Sequence, residues 1–566
     1  MIKYVMTGGA FILLLGSASI SFAQGTSAKS TGAPKGWHLM DKEKDGFSGI
    51  SIEKAYEFVR SKNLKSKTVI VAVIDSGIDT THEDLKGIMW TNPKEIPGNG
   101  IDDDNNGYID DVHGWNFLGG KDGRNVKEDS YEGARVYHKY KKVFAGPIDT
   151  AKLSPEEKDQ YEMWSKAKEK VEGDANGDGG VDIAIMKKAL ESTIKNDSLL
   201  RKSLGKEVFT GNDLDQFAAT TPEEKKAKAG LLYLFKANNI METTNKDFVS
   251  EFTEYVTGEE RKKESAEKEP ANYRGDITKD NEDDINDRSY GNNDIMAGTP
   301  FHGTHVSGII GAERNNGKGI DGIADNVRIM MIRAVPDGDE HDKDIALAIR
   351  YAVDNGARVV NMSFGKSFSP GKRWVDDAVK YAESKGVLLV HAAGNDAANV
   401  DSTDNFPNAS LRATHTKADN WITVGASGDP NEGGYTAVFS NYGKKEVDVF
   451  APGVKIYSTI PGGTTYGNAQ GTSMACPVVV GAAAFLLEYF PGLSPQQIKY
   501  CLEKSAQAPG VQVKKPGTSE MVNLSDISVS GGVINAFEAA KVATTLKQDK
   551  KREKLLKSTL KNSKEN

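Results

Sequence analysis

Thr68–Ile74 (TVIVAVI) is an almost unbroken β-branched run without polar alternation, the pattern of a strand buried on both faces. A strand of that kind needs cover above and below its sheet, which points to a layered α/β fold. The run ends in Asp75-Ser76-Gly77-Ile78-Asp79. That places a carboxylate at the C-terminal end of a central strand, where α/β folds locate their chemistry. The plainer reading of Asp75 is a cap on the next turn. A second buried run, Val387–Val390, leads into Ala392-Ala393-Gly394-Asn395-Asp396 and brings a side-chain amide to the same edge.

Two further segments carry reactive groups. His302-Gly303-Thr304-His305-Val306-Ser307-Gly308 reads as the start of a small-residue helix that packs closely on a sheet, with His302 at its first turn. As a metal pair, two histidines three apart with no third ligand nearby make a poor zinc site. Gly471-Thr472-Ser473-Met474-Ala475 precedes the apolar run Val478–Leu487 and sets a hydroxyl at the mouth of a buried helix. The free N–H groups and positive dipole end there suit an oxygen that acquires negative charge. On its own the pentapeptide also fits a tightly packed helix start.

Asp75, His302, Asn395 and Ser473, in that order, resemble the subtilase family of serine peptidases. Asn361-Met362-Ser363-Phe364-Gly365, Phe439-Ser440-Asn441-Tyr442-Gly443 and Asp448-Val449-Phe450-Ala451-Pro452-Gly453 extend the resemblance, which covers roughly residues 36–120 and 290–543. It implies an α/β, subtilisin-like three-layer fold with a mostly parallel central sheet, here interrupted by a long helical insertion. It implies a catalytic triad of Asp75, His302 and Ser473, with Asn395 as an oxyanion donor. Ser363, Phe364 and Gly365 would pair with an extended peptide by strand addition. Ala392, Ala393 and Gly394 would wall the pocket for the side chain before the scissile bond. His305 would serve packing. Asp401 and Asp404 fall in the loop near that pocket and read more simply as solvated acids than as a trap for basic side chains.

The resemblance implies a serine endopeptidase acting on proteins or peptides. Two other uses of the same scaffold stand beside it: a transpeptidase or macrocyclase that passes the acyl-enzyme to an amine, and an inactive binding protein. A net charge of −8, from 72 basic and 80 acidic residues with no basic patch studded by aromatics, argues against nucleic acid. Residues 1–23 carry a basic start, the apolar stretch Gly8–Phe22 and the small-residue cut Ser21-Phe22-Ala23, so a cleavable export signal and a periplasmic or extracellular site are expected. That stretch is too short for a stable membrane anchor. Between Gln24 and Val69 there is little room for a separate pro-domain. Cys476 and Cys501 read as buried free thiols.

Calcium is the expected cofactor. Asp102, Asp104 and Asn106 alternate oxygen side chains before the Gly107 turn, as loops that wrap hard cations do, without the bidentate glutamate of an EF-hand. Asp84 and Asn316 resemble partners in the family's structural calcium site. A weaker repeat of the alternation spans Asp174–Gly179. Asp75 and His302 stand 227 residues apart, and the excess has its own composition. Residues 24–120 and 290–543 are read as the peptidase domain, 121–289 as a Lys/Glu-rich helical insertion and 544–566 as a basic tail. Propensity and apolar spacing predict insertion helices over 154–171, 181–204, 222–239 and 245–263. The insertion is either a solvated appendage or a lid beside the cleft.

Overall fold

The computed structural model describes residues 33–176, 183–237, 240–241, 243–298, 300–430 and 434–548. The expected signal segment, residues 549–566 of the tail and the later part of the 174–179 turn lie outside them. Seven strands form the central sheet: β1 Val69–Asp75, β2 Gly114–Asn116, β3 Val327–Arg333, β4 Val359–Met362, β5 Leu388–Ala392, β6 Trp421–Ser427 and β7 Val449–Pro452. Their order is β2-β3-β1-β4-β5-β6-β7 and every pairing is parallel, so the fold is the expected layered α/β arrangement.

β1 shows why its sequence lacks alternation. Val69, Val71 and Val73 join the core on one face, while Ala72 and Ile74 join the core on the other. Successive strand side chains point to opposite faces, so a doubly covered strand must be apolar at every position. Ten helices bear on the site and its surroundings: α1 Ile52–Ser61, α2 Glu132–Phe144, α3 Pro155–Asn176, α4 Ile183–Leu204, α5 Pro222–Ala237, α6 Asn245–Glu267, α7 Phe301–Gly311, α8 Asp342–Asp354, α9 Lys372–Lys385 and α10 Thr472–Tyr489. α7 and α10 fill the first face; α8 and α9 cover the second. Among the described residues α10 alone is long and apolar enough to cross a membrane, yet 94% of it is buried inside the protein, as a core helix is.

Helices α2–α6 occupy residues 132–267, with two small cores of their own. One gathers Leu200, Phe209, Leu231, Phe235, Phe248 and Phe252. The other joins Val136, Tyr137, Phe144, Trp164 and Val171 to Phe368 from outside the insertion. The helix expected from Ser154 begins at Pro155, because Ser154 is its cap: Ser154 Oγ accepts the Glu157 N–H and Glu157 accepts the Ser154 N–H. It runs on to Asn176, and the helix expected to end at 263 continues to Glu267. The sequence reading passed over α2 altogether. Its buried face includes Glu132 and His138, polar side chains that blur an apolar stripe. The insertion is fastened by a buried ion pair, Arg274 to Asp344 at 2.7 Å, and a half-buried one, Arg261 to Asp337 at 3.0 Å.

Three wholly buried histidines couple this core to acid. Burial lowers His38 and His391 to about 4 and His305 to about 3. Above the unfolded value of 6.5 they are neutral in both states. As pH falls from there towards 4, the unfolded chain takes up protons that the folded chain refuses, so stability drops with falling pH. Each histidine contributes roughly a few kcal/mol across that window. The melting temperature is therefore expected to hold steady from pH 8 to 7 and to fall steeply between pH 6 and 4, followed by circular dichroism.

Candidate active site

Asp75 closes β1 and is 2% exposed. His302 stands in the first turn of α7, with Nδ1 at 2.8 Å from Asp75 Oδ1 and 2.9 Å from Oδ2. Gly303 permits the contact. A Cβ there would lie 2.1 Å from the Gly77 carbonyl oxygen and 3.2 Å from Asp75 Cβ, so any side chain would push the helix off the strand. With Nδ1–H committed to the carboxylate, Nε2 becomes the nitrogen that can take and return a proton.

Ser473 is the second residue of α10, fully buried, with Oγ donating to the Ser363 carbonyl at 3.2 Å. Ser363 Oγ donates in return to the Ser473 carbonyl at 3.0 Å. Gly471 caps the helix at φ 149°, a backbone region that favours glycine. Asn395 follows β5 and turns its carbonyl to Thr472, accepting from its N–H at 2.8 Å and its Oγ1 at 3.1 Å. Its Nδ2 is buried and has no hydrogen-bond partner among the described residues. An unmet buried donor costs about 1–3 kcal/mol. Reaction sites bear such a cost when the donor serves charge that appears only during the reaction. The Ser473 N–H lies in the same helix turn, where no intrahelical acceptor exists. Asp75, His302, Asn395 and Ser473 thus come to one edge of the sheet.

Ala392 ends β5, and Ala393 lines a cavity of about 640 Å³. Phe368, Asn405 and Asp404 also line it, as do Met163 and Lys166 of α3. Phe364 offers the cleft no side chain: its ring is buried in the core and its carbonyl accepts from His391 Nε2 at 2.7 Å. Gly365 packs so near Asn405 that a Cβ would meet Asn405 Oδ1 at 2.5 Å. Asn405 in turn donates to the Ala393 carbonyl at 2.8 Å, tying both pocket walls together. Sequence reading missed Asn405 because it sits in a run of Asp, Ser, Thr and Asn that reads as solvated loop. Neither nearby acid stands free: Asp401 caps the N–H groups of Lys445 and Glu446, and Asp404 pairs with Lys166 at 3.2 Å.

His305 is buried, with Nε2 against the Gly467 carbonyl at 3.2 Å. Cys476 and Cys501 are free and buried, and burial pushes both thiols up to about 12. In the acidic loop, carboxylate oxygens of Asp102, Asp104 and Glu95 lie within 4.8 Å of one another. Glu95 is 7% exposed and its Oε2 has no partner among the described residues. Burial and then the neighbouring acids raise its carboxyl. Asn106 turns away from this group, donating Nδ2–H to Asp111 and accepting the Tyr108 N–H. Glu95, seven residues upstream, was not legible as part of the loop. Asp84 and Asn316 also meet, but Asn316 Nδ2 donates to Asp84 Oδ1 at 2.7 Å and Tyr466 Oη donates to Oδ2 at 2.8 Å.

The profile of one protein family, described as the Subtilase family, matches residues 66–526. The chain is 43% identical over 206 residues to a thermophilic serine proteinase of a Bacillus species, covering 36% of this chain and 46% of that one. It is 38% identical over 207 residues to subtilisin DY of Bacillus licheniformis, covering 36% and 70% respectively. The chain therefore spans about half the length of the first relative. A solved structure described as proteases from Pseudoalteromonas arctica aligns at a TM-score of 0.44 and 18% identity, covering 90% of this chain and 96% of that one. With a family match across most of its length and a parallel sheet in the layered α/β order, the chain belongs to the subtilase family.

Proposed function

We propose that the chain is a secreted or periplasmic serine endopeptidase that cleaves peptide bonds through an acyl-enzyme on Ser473. The observation that carries the reading is the pairing of His302 Nδ1 with both Asp75 oxygens beside a helix start that bears Ser473. His302 Nε2 takes the Ser473 proton as Oγ attacks the carbonyl, then returns it to the leaving amine. Asp75 fixes the tautomer and stabilises the imidazolium without accepting the proton. The oxyanion rests on Asn395 Nδ2 and the Ser473 N–H. Water entering along the same path releases the acid. Ser363 and Gly365 hold the peptide backbone, while Ala392, Ala393 and Gly394 bound the side-chain pocket. A fluorophosphonate probe tests this directly: it should label the protein, and labelling should vanish in Ser473→Ala. Equal labelling of both proteins would refute the nucleophile.

Calcium fits the acidic loop. A buried, unpartnered Glu95 oxygen beside Asp102 and Asp104 is a hard-oxygen set awaiting positive charge. The ion would be structural, binding the folded loop and stabilising it by mass action, about 2.7 kcal/mol when calcium stands at a hundred times its Kd. Chelation with EGTA is expected to lower the melting temperature by several degrees, and Glu95→Gln to shrink that difference. An unchanged melting temperature on chelation would remove calcium from the account. Export rests on the residue pattern of segment 1–23, and secreted proteins or peptides are the substrate class that follows.

A further inference from the structure

The strand that would receive a substrate runs directly into contacts with the insertion. Backbone groups along a strand face alternate edges. Here Ser363 O faces Ser473 Oγ, Phe364 O faces His391, and Lys366 exchanges both of its backbone bonds with Phe406 at 3.0 and 2.8 Å. Ser363 and Gly365 therefore share the edge that faces Ser473, and Phe364 and Lys366 the opposite one. Beyond Gly365 the strand meets the insertion. Lys366 is buried, and its Nζ lies 2.7 Å from Glu132 Oε2, 2.9 Å from Asp342 Oδ1 and 2.7 Å from the Glu340 carbonyl.

Glu132 opens α2 of the insertion and is held a second time by Arg135 Nη2 at 2.7 Å. Arg135 also reaches the Ser130 carbonyl at 2.6 Å and the Asp339 carbonyl at 3.0 Å. Burial by itself would raise the Glu132 carboxyl, but the Arg135 and Lys366 charges hold it well below the usual range. Two residues on, Phe368 packs into the insertion's own core, against Gly133 so closely that a Cβ there would meet its ring at 3.0 Å. Opening such a buried pair would strand a charge, so this end of the strand is not a mobile flap.

We propose that the insertion ends the substrate groove at Lys366, so that only the three residues before the scissile bond are recognised. The first would pair with Ser363 and the third with Gly365, while a fourth would meet the Glu132–Lys366 pair and turn into solvent. The inference rests on the strand-addition reading of Ser363–Gly365 and gives the enzyme a substrate class: segments selected over three upstream positions, with no demand on sequence further away.

N-acetylated peptides carrying one to five residues before a single cleavable bond, with a constant downstream half, test it in the unaltered protein. The specificity constant kcat/KM should rise up to three residues and then stay level or fall. A further rise of about threefold to tenfold at the fourth residue, the scale of one added strand contact, would overturn the closure while leaving strand addition standing. No dependence on length from one to three residues would overturn both. The double variant Glu132→Ala, Lys366→Gly removes both charges together. If it melts like the parent, it should gain that threefold to tenfold at the fourth residue; no gain in the folded variant would place the stop elsewhere.

Discussion

Ser473→Ala is expected to lower kcat on a peptide amide by about a millionfold, the size of loss measured when the triad serine or histidine of a subtilisin is removed. The expectation follows from the geometry of this chain. Ser473 Oγ makes a single neutral bond, to the Ser363 carbonyl, so its loss costs the fold only about 1 kcal/mol. The helix that carries it is anchored by the core and by the Asn395–Thr472 bonds, neither of which involves Oγ. Substrate affinity and melting temperature should stay close to the parent's while turnover disappears. Single-turnover kinetics with direct binding of an uncleaved peptide separates the two quantities. Residual turnover above a thousandth of the parent's would mean that another residue acts as nucleophile.

If Asn395 holds the oxyanion as proposed, Asn395→Asp should cost at least about 10²–10³ in kcat, with KM little altered, the magnitude for loss of one oxyanion donor. The choice of aspartate matters here. Asn395 Oδ1 receives both Thr472 bonds, so alanine would loosen the start of α10 as well as remove the donor. Aspartate keeps an acceptor for Thr472 and replaces only the unpartnered Nδ2 with an oxygen that repels the developing charge. If Asn395→Asp retains most of the parent kcat while Asn395→Ala loses it, Asn395 acts by positioning Ser473 rather than by holding the oxyanion. Comparing kcat with KM in the two variants decides between these roles.

The layered fold and the gathering of four side chains at one edge were legible because their signals are local. A doubly buried strand must be apolar throughout, and the runs at β1 and β5 say so in seven and four consecutive residues. Gly303 and Gly471 flank reactive groups because close approach and an unusual φ require glycine, and both stand beside the residue they serve. The helical insertion was visible for a similar reason: α3–α6 carry helix formers and capping residues within a few positions. α2 was not visible, since its buried face includes Glu132 and His138, whose partners Lys366 and the Ser265 carbonyl come from distant chain.

The sequence by itself marked β1 and β5 as buried strands, set the chain order of Asp75, His302, Asn395 and Ser473, and showed the loop in which Asp102 and Asp104 alternate. Only the tertiary structure decided that Glu95 joins that loop, that Asn405 ties the pocket walls, that Asp404 is already paired with Lys166, and that Lys366 is sealed under Glu132. The physical reason is range. Strand burial and helix capping are set by neighbours a few residues apart. A polar side chain in a loop says nothing about its function until distant chain supplies, or withholds, its partner.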